Sequence, residues 1–173
     1  MSDNIRVSWE EVEQLVSNVA NKMIADNFKP DIIVTILRGG VVPARLLCNY
    51  FDKVSLFTVT AKLYDKVDDW QTEAGYLGAI GAVRVGKIDL PIYGQEKTVI
   101  IDDISDSGKT FSAVIEEIYN KHSGLYELNK LYNGKMLKTA SLYLRGSSEF
   151  VPDFYGEKVE HKEWFDFPWE KKI

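Results

Sequence analysis

The chain has 173 residues, a length that predicts a single domain spanning 1–173 with enough chain to bury a core. Hydrophobic residues make up 45% and charged residues 27%, so the composition excludes a disordered or fibrous protein. The formal charge of −5 argues against partners bound through bulk charge, so we expect neither nucleic acid nor an anionic membrane as a partner.

Two helices and one strand are predicted in the first part of the chain. Ser8, with Glu11 three residues later, forms a capping box, and apolar residues then recur at helical spacing to about Asp26. The β-branched run DIIVTIL at 31–37 predicts a strand buried on both faces. After the glycine-bearing turn at 38–40, VVPARLLCNYF predicts a second helix with a proline in its first turn.

The rest of the chain alternates strands and loops with one further helix. Strands are predicted at 54–61, 98–101 and 139–144, with two short strand-like pieces at 83–86 and 88–92. The segment FSAVIEEIYNKH predicts a helix, and the chain from 151 onward is aromatic and charged. Repeated strand–loop–helix units predict an α/β fold, a mostly parallel twisted sheet flanked by helices, whose ligands bind at the carboxyl ends of the strands.

The cysteine content and the hydropathy of the chain indicate the cellular compartment in which the protein is expected. Cys48 is the single cysteine, so it has no partner for an internal disulfide or a zinc site. The longest apolar stretch, 32–37, is far too short to cross a bilayer. We therefore expect a cytoplasmic protein in a reducing compartment, with no membrane association.

The stretch TVIIDDISDSGKT at 98–110 combines two kinds of binding group. A buried strand leads into paired carboxylates, Asp102 and Asp103, and a turn containing Gly108 then opens a helix. The N–H groups of such a turn, together with the helix N-terminus, form a site for a phosphate dianion. Carboxylates beside it suit a ligand with hydroxyls or a hydrated cation near its phosphate.

Two other interpretations compete for this stretch. SGKT looks like the end of a Walker A loop, but that motif requires glycine where Asp103 stands, and a carboxylate there would repel nucleotide phosphates. Alternatively, Asp102, Asp103 and Asp106 only cap a helix and satisfy turn amides. One aspartate is enough for a cap, so three beside a Gly-Lys-Thr turn favour a ligand site.

The same stretch resembles the phosphoribosyl pyrophosphate (PRPP) signature of the type I phosphoribosyltransferases. ILRGGVVPARLL at 36–47 is similar to the pyrophosphate-binding turn of the family's purine enzymes, especially the xanthine–guanine and hypoxanthine enzymes. EWFDFPWE at 163–170 is similar to their base-binding tail. The resemblance covers most of the chain from about 31 to 170. It implies the type I phosphoribosyltransferase fold with a small hood from the C-terminal tail at about 151–173.

The resemblance also implies roles for residues that match the family's motifs. Asp102 and Asp103 match the acidic pair that binds the ribose hydroxyls and Mg²⁺, the expected cofactor. Asp106 matches the residue near purine N7 and is a candidate proton acceptor. The other residues implied to bind PRPP in this segment are Ile104, Ser105, Ser107, Gly108, Lys109 and Thr110.

Leu37, Arg38 and Gly39 match the pyrophosphate turn, in which the family often has a non-proline cis peptide bond. The Arg38 guanidinium would bind pyrophosphate oxygens as negative charge builds on the leaving group. The alternative is an ordinary surface arginine in a glycine-rich turn. Residues at about 62–82 occupy the position of the family's mobile loop. Lys62 and Tyr64 are candidates for contact with pyrophosphate there. The alternative is that they are ordinary polar residues of a loop.

The tail and one strand end are implied to bind the base. Trp164 resembles the aromatic that stacks on the purine, and the Phe165 backbone would bind the base edge; the alternative is a hydrophobic tail docked on the sheet. Arg145 stands where 6-oxopurine enzymes have a lysine that contacts the exocyclic oxygen, so the preferred base stays open. Asp166 either accepts from a 2-amino group or N1–H or faces solvent.

The resemblance as a whole implies a Mg²⁺-dependent purine phosphoribosyltransferase of purine salvage. It would convert PRPP and a base, with 6-oxopurines favoured, into a nucleoside 5′-monophosphate and pyrophosphate. Two alternatives stay open: an adenine enzyme of the same fold, and a PRPP-sensing RNA-binding regulator with little catalysis. Family members are commonly dimers or tetramers, so a homodimer or homotetramer is expected.

Overall fold

The structure is a computed structural model that describes residues 4–63, 83–86, 88, 96–121, 136–160 and 163–170. Its strands and helices, in chain order, are β1 (Ile5–Arg6), α1 (Trp9–Ala25), β2 (Ile32–Leu37), α2 (Val41–Leu47), β3 (Ser55–Leu63), β4 (Val83–Val85), β5 (Thr98–Ser105), α3 (Lys109–Lys121), β6 (Leu137–Arg145), β7 (Phe154–Val159) and β8 (Phe165–Asp166). A short 3₁₀ helix, Cys48–Tyr50, follows α2.

Within the described residues, six strands form the main sheet in the order β4-β3-β2-β5-β6-β7. Every neighbouring pair is parallel except β3 with β4, which confirms the mostly parallel α/β prediction. The chain runs from β2 outward to β3 and then returns to place β5 on the other side of β2. In parallel sheets, the crevice at such a reversal is where ligands bind.

Helices cover both faces of the sheet, and each face has its own core. α1 and α2 pack on one face, where Met23 and Leu47 join the strand residue Ile33. α3 packs on the other face, where Phe111 joins Ile100. Because successive side chains of a strand point to opposite faces, the unbroken apolar runs of β2 and β5 supply both cores.

Several elements differ from the sequence prediction. β5 continues four residues beyond the predicted end at 101, because its pairing with β6 extends to Ser105. The second helix ends as α-helix at Leu47 and continues only as a 3₁₀ turn. β7 in the tail was not predicted, since FYGEKV has no strong alternation, yet it pairs in parallel with β6. Of the strand-like piece at 88–92, only residue 88 lies within the described residues.

A second, two-stranded sheet joins β1 to β8 in parallel, with Ile5 opposite Phe165 and Arg6 opposite Asp166. This sheet was also not predicted, and it fixes the tail to the N-terminal segment. Residues 64–82 of the predicted mobile loop lie outside the described residues, and the extents of the domain and of the hood stay predictions. In the described part of the chain, no helix combines the length and apolarity needed to cross a membrane.

Candidate active site

A cavity of about 680 Å³ opens at the carboxyl ends of β2, β3 and β5, the position that the sheet topology favours. Most of the predicted site residues line it together. They are Leu37, Arg38, Gly39, Asp102, Asp103, Ile104, Asp106, Thr110, Arg145, Trp164 and Phe165. Segments that are far apart in the sequence thus line one cavity.

The paired carboxylates lie on the last part of β5, and each is bonded to the backbone that follows it. The Asp103 N–H donates to Asp102 Oδ1 at 3.0 Å, and the Ile104 N–H donates to Asp103 Oδ1 at 2.7 Å. Burial raises the pKa of Asp102 well above its ordinary value, and the charge of Asp103 raises it further. Burial also raises the pKa of Asp103, to about 6, with a contribution from the charge of Glu170. Such a pair favours a cation or hydroxyl donors as its ligand.

The turn after β2 adjoins this pair. The peptide bond between Leu37 and Arg38 is cis, as the resemblance implied. Gly39 lies so close to Asp103 that an added Cβ would collide with the carboxylate, so glycine is required there by space alone. The exposed Arg38 lines the cavity beside the acidic pair. An exposed cation at this position can reach an anionic group of a ligand.

The predicted phosphate loop connects β5 to α3. Gly108 has a φ of +79°, a left-handed conformation that favours glycine. α3 begins immediately afterwards, and the Lys109 N–H donates to Ser107 Oγ at 3.4 Å. Thr110 lines the cavity, whereas Ser107, Gly108 and Lys109 do not. Of the four loop residues, therefore, only one is in the cavity wall.

Ser105 is one of the residues predicted to bind PRPP, and its side chain is turned away from the cavity. The Ser105 hydroxyl is buried; it donates to the carbonyl of Phe150 at 2.9 Å and lies 3.0 Å from the hydroxyl of Ser148. Its neighbour Ile104 lines the cavity.

Arg145, at the end of β6, is only 6% exposed and forms an ion pair with Asp106. Its Nη2 donates to the carbonyl of Glu163 at 3.3 Å, and its guanidinium lies 5.7 Å from the centre of the Phe165 ring. The two residues predicted to face O6 and N7 of a purine are therefore bonded to each other. This pairing orients the guanidinium at the cavity wall.

The tail residues divide between the cavity edge and the core. Trp164 is 60% exposed at the edge, so a face of the ring is open for stacking. Phe165 is buried and stacks on Tyr143 with ring centres 4.3 Å apart. Its side chain is part of the core, and its backbone is what the chain can offer to a ligand.

Asp166 does not line the large cavity, in which the other base-site candidates meet. Its carboxylate accepts from Asn4 Nδ2 at 3.0 and 3.2 Å. It lines a second cavity, of about 510 Å³, which adjoins the first at Arg38 and Trp164. The N-terminal segment that supplies Asn4 was assigned no role in the sequence analysis.

Several other residues of the large cavity were also missed. Thr60 and Ala61 line it beside Lys62 at the end of β3, and Phe167 and Glu170 line it from the tail. The rule that ligands bind at the carboxyl ends of parallel strands applies to β3 as well and would have indicated the first two. Glu170 is the last residue of EWFDFPWE, so it lay within the recognised segment, but the sequence prediction gave it no role.

Comparison with known proteins agrees with this arrangement. A family model described as the phosphoribosyl transferase domain matches residues 7–172. The hypoxanthine-guanine phosphoribosyltransferase of Saccharomyces cerevisiae is 23% identical, over 98% of this chain and 86% of that protein. The xanthine-guanine phosphoribosyltransferase of Chromohalobacter salexigens is 26% identical, over 96% and 84%. The crystal structure of a purine phosphoribosyltransferase from Pyrococcus horikoshii superposes with a TM-score of 0.68 at 30% identity, covering 98% of this chain and 95% of that one. The chain belongs to the phosphoribosyl transferase family.

Proposed function

We propose that the protein transfers the 5-phosphoribosyl group from PRPP to a 6-oxopurine, giving a nucleoside 5′-monophosphate and pyrophosphate. The observation that carries this proposal is one cavity that holds paired carboxylates, an exposed arginine and a buried arginine beside an open tryptophan. The names of the relatives support the same class of substrate, since they act on guanine with hypoxanthine or xanthine.

The carboxylates and the loop would orient the ribose and its phosphate. Asp102 and Asp103 offer acceptor oxygens to vicinal hydroxyls of the sugar. Thr110 and the N–H groups at the start of α3 would receive the 5′-phosphate, because a helix N-terminus favours an anion. Binding energy from these groups, which lie away from the reacting carbon, would hold C1′ in place for the reaction.

The acidic pair also fits a Mg²⁺ ion that shares its ligands with the substrate. Within the described ranges, no three Asp, Glu, His or Cys side chains are grouped to hold a metal ion by themselves. Mg²⁺ is usually held by one or two carboxylates together with substrate phosphates, and Asp102 and Asp103 supply two. When bound, the ion would neutralise charge on the pyrophosphate oxygens.

The bond from C1′ to the pyrophosphate oxygen would break with its electron pair leaving on pyrophosphate, and the bond from C1′ to purine N9 would form. Arg38 would stabilise the negative charge on the leaving group. Asp106 would accept the hydrogen bond of N7–H and take the proton that the base loses. Arg145 holds the Asp106 carboxylate in place for this contact.

Arg145 supports a 6-oxopurine over adenine. Its guanidinium has donors and no acceptor, so it can bind an oxo group, whereas the 6-amino group of adenine would place donor against donor. Losing a hydrogen bond that the site is built to make discriminates strongly between such bases.

The test incubates the protein with PRPP and Mg²⁺, supplies guanine, hypoxanthine, xanthine and adenine separately, and identifies the monophosphate by mass. We expect product from at least one 6-oxopurine and little from adenine. Adenine as the best substrate would favour the adenine enzyme instead. No product from any base, together with RNA affinity that falls steeply with salt, would favour the regulator.

Two further expectations belong to the same proposal. The lone Cys48 supports a reducing, cytoplasmic compartment, which localisation of a tagged full chain would test. A homodimer or homotetramer follows from the resemblance, and light scattering at several protein concentrations would test it.

A further inference from the structure

The tail that carries Trp164 is held by backbone bonds from β1. The Ile5 N–H donates to the carbonyl of Trp164 at 2.8 Å, and the Val7 N–H donates to the carbonyl of Asp166 at 3.0 Å. Val7, the residue after β1, is buried in the core and so anchors the end of this strand. The backbone on both sides of Phe165 is therefore fixed by an N-terminal strand that lies outside the large cavity.

A side-chain contact closes the same junction. Asn4 Nδ2 donates to both carboxylate oxygens of Asp166, at 3.0 and 3.2 Å. Asp166 does not line the large cavity that Arg145 lines; with Asn4 and Trp164 it lines the smaller cavity beside it. A carboxylate that accepts from an amide with both oxygens, outside the wall of the large cavity, is placed to hold the tail.

The first turn of α1 contacts the tail directly through Trp9 and indirectly through Glu11. Trp9 packs against Trp169, with ring centres 6.0 Å apart. Glu11 Oε1 accepts from the hydroxyl of Tyr143 at 2.5 Å, and Tyr143 in turn stacks on Phe165. The stretch from 4 to 11 thus contacts the base-site tail at several points.

We propose that Asn4 and Asp166 are positioning residues of the base site. Their contact holds β8 against β1, and so places the Trp164 ring and the Phe165 backbone for the base without touching it. This inference rests on the proposed transfer to a purine. It assigns a role to Asp166 and makes the N-terminal segment part of the site.

The test is steady-state kinetics at saturating PRPP, with the base varied, on four variants: Asn4→Ala, Asn4→Asp, Asp166→Asn and the exchanged pair Asn4→Asp/Asp166→Asn. Loss of a hydrogen bond to a charged group should raise the KM for every accepted base about three- to tenfold in Asn4→Ala, with kcat and the KM for PRPP unchanged. Asn4→Asp should raise the base KM further, because it sets two carboxylates face to face. The exchanged pair restores one carboxylate and one amide and should recover most of the wild-type KM.

A matched control is Asn18→Ala, which removes a 3.0 Å amide–amide bond from Gln14 elsewhere on α1 and should leave all kinetic constants unchanged. Unchanged base KM in both Asn4 variants would overturn the proposal. So would a change in the guanine-to-xanthine preference in Asp166→Asn that the exchanged pair fails to correct, since Asp166 would then contact the base.

A readout independent of catalysis separates this proposal from the proposed function. Hydrogen exchange at the amides of Ile5 and Val7 should speed up in Asn4→Ala and Asn4→Asp and return toward wild type in the exchanged pair. A wild-type protein that turns over no base would overturn the proposed function while leaving this measurement decisive. Unaltered exchange in both single variants would show that the contact does not hold the tail.

Discussion

The proposed binding role of Asp102 and Asp103 has a cost in the stability of the free protein. Asp103 is buried and Asp102 is half-buried, and loss of hydration raises the pKa of Asp103 to about 6 from an ordinary value of 3.8 and the pKa of Asp102 well above that value. The folded state therefore binds more protons than the unfolded chain at pH values between the ordinary and the raised pKa. The free energy of unfolding must therefore fall as pH rises through this range. The ionised pair lowers it most at neutral pH.

The Asp102→Asn/Asp103→Asn variant should therefore gain stability while losing PRPP binding and turnover. In metal-free buffer with EDTA at pH 7, we expect its Tm to exceed that of the wild type by several degrees, because 1 kcal/mol corresponds to about 2–4 °C for a chain of this size. The gap should shrink below pH 4, where the wild-type carboxyls are protonated in both states. Calorimetry at several pH values measures this, and a gap that is constant with pH would contradict it.

Arg145 illustrates what a single substitution for lysine changes. A lysine ammonium is a point charge on a flexible stem, whereas a guanidinium is a planar fork that can bind several partners at once. Here the fork binds Asp106 and the carbonyl of Glu163 while its plane lies near the Phe165 ring. An ammonium would be a poorer fit to these partners, so Arg145 links the residue predicted to face purine N7 to its own predicted contact with O6.

At the scale of elements, the strands and helices with strong local patterns were predicted well. α1 begins after Ser8, whose hydroxyl accepts from the Glu11 N–H at 3.1 Å, as the capping box predicted. Glu11 completes only half of that box, because its side chain accepts from the Tyr143 hydroxyl. This distant tertiary contact leaves no trace in the local spacing of residues.

The Ser8→Ala variant tests how much this cap supports α1. Loss of the cap should lower stability by about 1 kcal/mol, which corresponds to a fall in Tm of about 2–4 °C. Ser8→Asp keeps an acceptor at the cap and adds a negative charge that the helix N-terminus favours, so it should unfold at or above the wild-type Tm. Thermal unfolding by circular dichroism measures both, and equal Tm values for Ser8→Ala and wild type would rule out a contribution from the cap.

The elements that were missed are those whose existence depends on distant partners. β1 and β8 are two residues long, too short for any periodicity, and each exists because the other pairs with it across the length of the chain. The same reason explains Asn4, which meets Asp166 only through that pairing. The motif at 98–110 was recognisable because its predicted binding groups are contiguous, whereas the residues predicted to bind the base come from a separate strand end and the tail.

For the whole molecule, a net charge of −5 is compatible with an anionic substrate, because the charges that line the cavity differ from the balance of the whole chain. Its walls combine Arg38, Lys62 and Arg145 with the acidic pair, so both signs of charge face one ligand. PRPP carries many negative charges, so its proposed binding beside Asp102 and Asp103 would be favoured by a cation between them. The electrostatics of the site thus predict that substrate affinity depends on the metal.

This dependence can be measured as a change in the stability of the whole fold. A ligand present at 100 times its Kd stabilises the protein by about 2.7 kcal/mol. PRPP with Mg²⁺ should therefore raise Tm by about 5–11 °C. PRPP with excess EDTA should raise it little, since the acidic pair would then repel the substrate.

The Asp102→Asn/Asp103→Asn variant is the matched control and should show little shift with Mg²⁺ present, because it lacks the carboxylates that share the ion with the substrate. Equal shifts with and without EDTA in the wild type would contradict a metal-bridged substrate and leave Arg38 and the phosphate loop as the groups that bind it.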